Sequence, residues 1–332
     1  MKYAIVTGAS PSSLGFLASK KLASPEFGYK VILACRSKEK GQKAEERIRS
    51  ECPNSKVVYV NLDLSSFDSI RKFVDDVHAL DDGAIVKESS LQLLVNNAGI
   101  GWGQETPFLE TKDGLEEIVG VNHFGTFLLT QLLLEDLKRA KGGSRIVMVS
   151  SSLHEMTDRV GKMGKVEEED PIRKKLVLPD FPEGILPSED KYDGLRAYQI
   201  SKLCNVWYAY ELQRRLDQDG KSSVRVNAMC PGFIPATGLT RRAGKFGEFF
   251  LKYILDGFRY FGMGPTRSPE DGAETMVQTG TSELASVGGQ YFSLPKGKTE
   301  ITAIASSEES MDEEKAEALW ELSMKTCKLE AR

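Results

Sequence analysis

Short β-branched runs alternate with amphipathic stretches along this chain, and that alternation restricts its fold more than any other feature. The runs cover residues 3–7, 30–35, 56–62, 91–96, 145–150 and 224–229, with a last one near 290–293. Between them, residues 14–23, 38–50, 66–80 and 124–140 have helical periodicity. Strands separated by helices need crossover connections, hence a parallel sheet covered on both faces. The expectation is a doubly wound, Rossmann-like α/β fold forming a single domain over residues 1–332, with ligands held beyond the C-terminal strand ends.

Three regions depart from the alternation. Residues 152–197 hold no clear strand and are rich in Glu, Asp, Lys and Pro, so they read as a long functional insertion. Residues 234–268 mix Gly, Phe and Arg after a Pro-Gly and suit a lid over a pocket. Residues 312–329 read as a C-terminal helix, with Ala318, Leu319, Leu322 and Met324 as its packing positions. The apolar side chains of 246–261 allow peripheral membrane contact, although a cover over an apolar pocket is the simpler use.

The formal net charge of −4 lacks the basic footprint of a nucleic-acid binder. Five scattered cysteines form no CxxC pair, which points to a reducing compartment. Three distant histidines offer no metal-ligand spacing, and no apolar run reaches the ~18–20 residues of a membrane span. The N-terminus enters a strand directly, without room for a signal or transit peptide. The expectation is a cytoplasmic protein, or a plastid one if a transit peptide has been removed.

Candidate chemistry lies at the C-terminal ends of the runs. After the first comes Thr7-Gly8-Ala9-Ser10-Pro11-Ser12-Ser13-Leu14-Gly15, which either places backbone N–H groups and a helix N-terminus against a pyrophosphate or simply caps a helix. The second ends in Cys35-Arg36, with Lys38 and Lys40 behind. A cation there suits a ribose 2′-phosphate, so NADP(H) is expected over NAD(H). The third ends in Leu62-Asp63-Leu64, where Asp63 could accept from an adenine amino group or cap the next helix. The fourth ends in Asn96-Asn97-Ala98-Gly99, and the fifth in Val149-Ser150-Ser151-Ser152. Asn122 interrupts an apolar helix. Tyr198 and Lys202 stand four apart in a helical stretch, 196–216, which puts a phenol and an ammonium on one face. A nearby cation would lower the phenol pKa toward useful acid–base work.

This ordered set resembles the short-chain dehydrogenase/reductase family along nearly the whole chain. It includes the glycine turn, Asn97-Ala98-Gly99, Asn122, Ser151, Tyr198-x-x-x-Lys202 and Pro231-Gly232. The resemblance implies that Ser151 polarises a substrate carbonyl, with Ser150 and Ser152 as rivals for the role. Tyr198 would transfer the proton, Lys202 would lower its pKa and bind the nicotinamide ribose, and Asn122 would hold a relay water. It also implies a nucleotide site built from Gly8, Ser10, Ser12, Ser13, Leu14, Gly15, Arg36, Asp63, Leu64, Asn97, Ala98, Gly99, Tyr198, Lys202, Pro231, Gly232 and Ile234.

The segments 193–198, 201–205, 231–239 and 319–323 are similar to the light-dependent protochlorophyllide reductase branch, and Ser151 to His154 to the retinol dehydrogenase-like reductases. Two departures stand out. The glycine turn carries an extra residue and a serine in place of its middle glycine, and Phe233 follows Pro-Gly where the protochlorophyllide enzymes have cysteine. The favoured reading is an NADP(H)-dependent oxidoreductase acting on a small lipophilic carbonyl or alcohol, with Trp102, Leu153, His154, Tyr192 and Phe233 as pocket candidates. The alternatives are a protochlorophyllide-type C=C reduction and a non-catalytic NADP(H) sensor. A homo-oligomer is compatible with the resemblance.

Overall fold

Eight strands, β1 (Lys2–Thr7), β2 (Tyr29–Cys35), β3 (Lys56–Asn61), β4 (Leu91–Asn96), β5 (Ser144–Val149), β6 (Val224–Cys230), β7 (Tyr291–Ser293) and β8 (Thr302–Ala303), form one sheet. In this computed structural model the order is β3-β2-β1-β4-β5-β6-β7-β8. Every pairing from β3 to β7 is parallel, and β8 adds an antiparallel edge. The seven expected strands are present with no end moved by more than one residue. β8 is two residues long, too short to carry a pattern.

The structure describes residues 1–102, 106–155, 181–182, 185–220, 222–234 and 266–330. Much of the expected 152–197 insertion, and nearly all of the 234–268 lid with its 246–261 apolar run, lies outside the described residues.

Alternate residues of the strands feed two cores. Tyr3 and Ile5 of β1 enter one, while Ala4 and Val6 enter the other. Helices α1 (Leu14–Leu22), α2 (Lys38–Glu51) and α7 (Pro269–Thr281) cover the second core, and α7 begins with a Ser268–Asp271 capping box. Helices α3 (Phe67–Ala79), α5 (Glu117–Lys138) and α6 (Gly194–Asp219) cover the first, with short α4 (Ala84–Glu88) at its rim. Among the described residues α5 is long and apolar enough to cross a membrane. However, 83% of its most apolar window is buried inside the fold, as expected of a core helix.

Helix α6 starts where the Asp193 carboxylate accepts the Leu195 and Arg196 amides, and it stops at Gly220, whose φ of +64° favours glycine. C-terminal helix α8 (Glu313–Thr326) packs on α6. Its buried face is Ala316, Leu319, Trp320 and Ser323, continued by Cys327, and Arg215 stacks 4.4 Å over the Trp320 ring. Of the expected packing positions Leu319 is buried, Leu322 and Met324 are half-buried against the same core, and Ala318 is half-buried.

Strand order reverses between β1 and β4, opening the crevice that holds the candidate site. Helix α5 enters that crevice through a π-helical turn, Gly120–Gly125, that carries Asn122. The turn fits because Gly125 has no side chain: a Cβ there would lie 2.3 Å from the Leu64 carbonyl oxygen. Gly125→Ala must push two backbones apart, so a loss of about 1–3 kcal/mol is expected in urea unfolding. A loss under ~0.5 kcal/mol, the range of neutral surface changes, would show the contact to be slack.

Candidate active site

Helix α6 turns one face inward, and the spacing i, i+3, i+4, i+7 brings Tyr198, Ser201, Lys202 and Asn205 to it, all buried. Lys202 Nζ donates to the Val149 carbonyl at the end of β5 (3.1 Å), and Asn205 Nδ2 reaches the same oxygen at 3.4 Å. The Lys202 ammonium also lies 5.5 Å from the centroid of the Tyr198 ring. Burial holds Lys202 down to about 8, partly offset by nearby Cys230.

The Ser151 hydroxyl stands close enough to the Tyr198 phenol to favour its ionised form. Burial raises the phenol, Ser151 lowers it, and Cys230 raises it. Burial therefore sets the direction of this shift, against the expected lowering by Lys202, whose ammonium faces the ring and the Val149 carbonyl. The three serines separate cleanly. Ser150 is buried and donates to the Lys202 carbonyl (2.7 Å), Ser152 is exposed, and only Ser151 meets Tyr198.

Asn122 is fully buried. Its Oδ1 accepts from the Ile100 amide (2.7 Å), and its Nδ2 donates to the Ile100 carbonyl (3.0 Å) and Ser201 Oγ (3.0 Å). Its amide thus braces the turn after β4 against α6. Gly99 completes the arrangement, since a Cβ there would lie 3.1 Å from Asn122 Oδ1 and 3.4 Å from Lys202 Nζ.

The turn after β1 is stitched to β4. Thr7 Oγ1 accepts the Asn97 and Ala98 amides (both 2.9 Å), and Asn97 Nδ2 donates back to the Thr7 carbonyl (2.8 Å). Gly8 and Gly15 pack against Ala98 and Asn97, where a Cβ would come within 2.9 and 2.6 Å. Ser13 is the N-cap of α1: its Oγ accepts from Phe16 and donates to the Gly8 carbonyl, so its hydroxyl is already engaged. Ser12 is exposed at φ +65°, taking the left-handed conformation that the family's glycine would adopt freely. Ser10 closes the turn by accepting the Ser13 amide (3.0 Å).

The remaining candidates surround this turn. Arg36 is exposed at the end of β2, with Lys38 and Lys40 exposed beyond it. Asp63 Oδ1 accepts from the amide and hydroxyl of Ser65, and Lys112 lies 3.7 Å from Oδ2. Ser66, not Asp63, caps α3. Leu64 supplies the carbonyl that Gly125 approaches. Gly232 has φ +85° beside half-buried Pro231, and Ile234 is buried against Gly272 and Leu14.

Helix geometry leaves the Leu14 and Gly15 amides at the start of α1 without intrahelical acceptors. These donors and the exposed Arg36 at the neighbouring strand end suit a nicotinamide dinucleotide.

Of the pocket candidates, Trp102 and Leu153 are half-buried against the core and Phe233 is 41% exposed. Tyr192 turns away, donating to Glu116 Oε1 (2.7 Å). His154 is also no wall residue: it is fully buried between the Ser151 carbonyl and the Ser307 amide. Sequence reading missed Glu116, a buried carboxylate that caps α5 through the Ile118 and Val119 amides. A glutamate just before an apolar run was its signal. Thr7 and Ser201 had no signal beyond their neighbours in the motifs.

A doubly wound sheet with Ser151 beside buried Tyr198 and Lys202 at its C-terminal edge defines a class of nucleotide-dependent enzymes. The family model for short chain dehydrogenases matches residues 2–161. Retinol dehydrogenase 13 of Homo sapiens is 36% identical over 331 residues, covering 99% of this chain and 86% of that protein. The chloroplastic protochlorophyllide reductase of Marchantia paleacea is 31% identical over 327 residues, covering 96% and 66%. A 3-ketoacyl-(acyl-carrier-protein) reductase of Brucella melitensis, solved with NADH, shares the fold with a TM-score of 0.59 at 22% identity, covering 90% of this chain and 98% of that one. The chain belongs to the short-chain dehydrogenase/reductase family, in the branch of these two relatives, and is an oxidoreductase.

The buried lysine makes a prediction about pH. Between about 8 and its ordinary value of 10.5, the unfolded chain binds more protons than the folded one, so stability rises with pH across that window. Below the window the folded state carries the full cost of the buried charge. Lys202→Met should therefore be more stable than the parent at pH 7, by about 1–3 kcal/mol, with the advantage shrinking toward pH 10. Urea titrations at both values check this; an advantage independent of pH would rule out the charge as its source.

Proposed function

We propose that this protein is an NADP(H)-dependent reductase of small lipophilic carbonyl compounds, working through Ser151, Tyr198 and Lys202. The observation that carries this reading is the buried Tyr198–Lys202 pair at the C-terminal end of β5, with the ammonium 5.5 Å from the ring centroid and Ser151 beside the phenol.

Bound nicotinamide would supply hydride to the substrate carbon. The chain's own residues handle the oxygen. Because burial raises the Tyr198 phenol, it stays protonated at neutral pH, the state needed to give a proton to a developing alkoxide. The Ser151 hydroxyl, next to that proton, stabilises the same oxygen. Lys202 supplies positive charge in a water-poor site, and its backbone is fixed by Ser150. The Leu14 and Gly15 amides, Arg36, Asn97, Ala98 and Gly99 would hold the nucleotide, with the Arg36 guanidinium on a 2′-phosphate. Trp102, Leu153 and Phe233 favour an apolar substrate, in keeping with the name of the retinol dehydrogenase relative. Phe233 follows Gly232 and cannot donate a proton, while Cys230 is buried; this weighs against a protochlorophyllide-type C=C reduction.

The test is cofactor oxidation with a panel of lipophilic aldehydes that includes retinal. Tyr198→Phe is expected to lower turnover by at least ~10²-fold while NADPH binding is kept. Unchanged turnover would overturn the assignment, and tight NADPH binding with no turnover by the parent would favour the sensor alternative. Arg36→Glu should weaken NADPH about 10–100-fold and leave NADH nearly unaffected, measured by fluorescence titration. Equal losses for both cofactors would remove the 2′-phosphate role.

A further inference from the structure

We propose that His154 is a positioning residue for Ser151, fixing that serine against Tyr198 by holding its backbone carbonyl. The proposal rests on the reductase reading above, which gives the Ser151 hydroxyl its role.

His154 lies three residues after Ser151, in the 3-10 turn Ser152–Glu155, and is fully buried. Its Nδ1 is 2.6 Å from the Ser151 carbonyl oxygen, which also accepts the His154 amide at 3.1 Å, and its Nε2 is 3.2 Å from the Ser307 amide nitrogen and 3.9 Å from Glu155 Oε1. A carbonyl only accepts, so Nδ1 carries the hydrogen. A backbone N–H only donates, so Nε2 is bare. The two bonds select one neutral tautomer, and both ring nitrogens are satisfied. Tyr291 meets the ring edge-on at 5.2 Å between centroids, which fixes its plane.

The far end of this strut is itself anchored. Ser310 closes the turn around Ser307, with its amide on Ser307 Oγ (3.2 Å) and its hydroxyl on the Ser307 carbonyl (2.6 Å). Tyr210 bonds Ser306 (2.8 Å), and Trp207 Nε1 donates to the Glu309 carbonyl (2.9 Å). Tyr210 and Trp207 belong to α6, the helix that carries Tyr198. Both hydroxyls of the Ser151–Tyr198 pair thus take their positions from one helix, Tyr198 directly and Ser151 through the Ser307 turn and His154.

Three variants separate the bonds. His154→Asn keeps a donor where Nδ1 stands, His154→Gln keeps an acceptor near Nε2, and His154→Phe keeps only the ring. Turnover is measured with NADPH and decanal, and kcat is normalised to NADPH-binding sites. His154→Phe is expected to lower kcat about 10–100-fold with NADPH affinity unchanged, the scale of a misplaced catalytic group. His154→Asn should recover much of that loss and His154→Gln little. Loss of folded protein with kcat per site unchanged in all three would overturn the proposal.

The 13C shift of the Ser151 carbonyl reads the bond without turnover. It should move upfield in His154→Phe and stay near the parent in His154→Asn, and no movement in His154→Phe overturns the proposal. If the parent oxidises no NADPH with any aldehyde, the reductase reading falls, while the carbonyl shift still decides whether His154 holds Ser151.

Discussion

A lysine ammonium held in the interior is the constraint on which the site depends. Lys202 cannot be buried without a partner, and it finds one in the Val149 carbonyl at the end of β5. Reaching it requires α6 to lie close against the sheet. The Ser150 bond to the Lys202 carbonyl secures that approach from the other side. With α6 so placed, Tyr198 is buried one turn earlier, Ser201 meets Asn122, and Gly99 must lack a side chain. One desolvated charge thus sets the position of the other groups in the cluster, at a cost the rest of the packed core has to offset.

Several residues whose types suggested chemistry serve as structure. Ser13 caps α1, Ser150 ties β5 to α6, and the Asn122 amide braces the turn at Ile100. Their partners are backbone groups that would otherwise be unsatisfied in the crevice. Chemistry at the sheet edge needs strand ends and helix starts brought into one small volume, and this concentrates orphan amides and carbonyls there. The hydroxyls and amides that answer them surround the reacting groups and look much like them in sequence.

The sheet and its covering helices were legible because short continuous apolar runs, as in β2, differ from the 3.6 period of helices such as α3. β8 escaped because two residues have no period. On α8, Leu319, Leu322 and Met324 were legible as packing residues, whereas the burial of Trp320 and Ser323 depends on Arg215 and His123, partners distant in sequence. In the site, the order and spacing of Asn122, Ser151, Tyr198 and Lys202 were readable along the chain.

What the chain determines by itself is the list of groups and the helical spacing that puts Tyr198 and Lys202 on one face, since these follow from local geometry. Only the tertiary structure decided which serine meets the phenol, that burial raises Tyr198 instead of Lys202 lowering it, and that His154 faces the Ser151 backbone. Each of those depends on desolvation and on partners distant in sequence, such as Val149 for Lys202 and Ser307 for His154. Spacing along one segment carries no information about either.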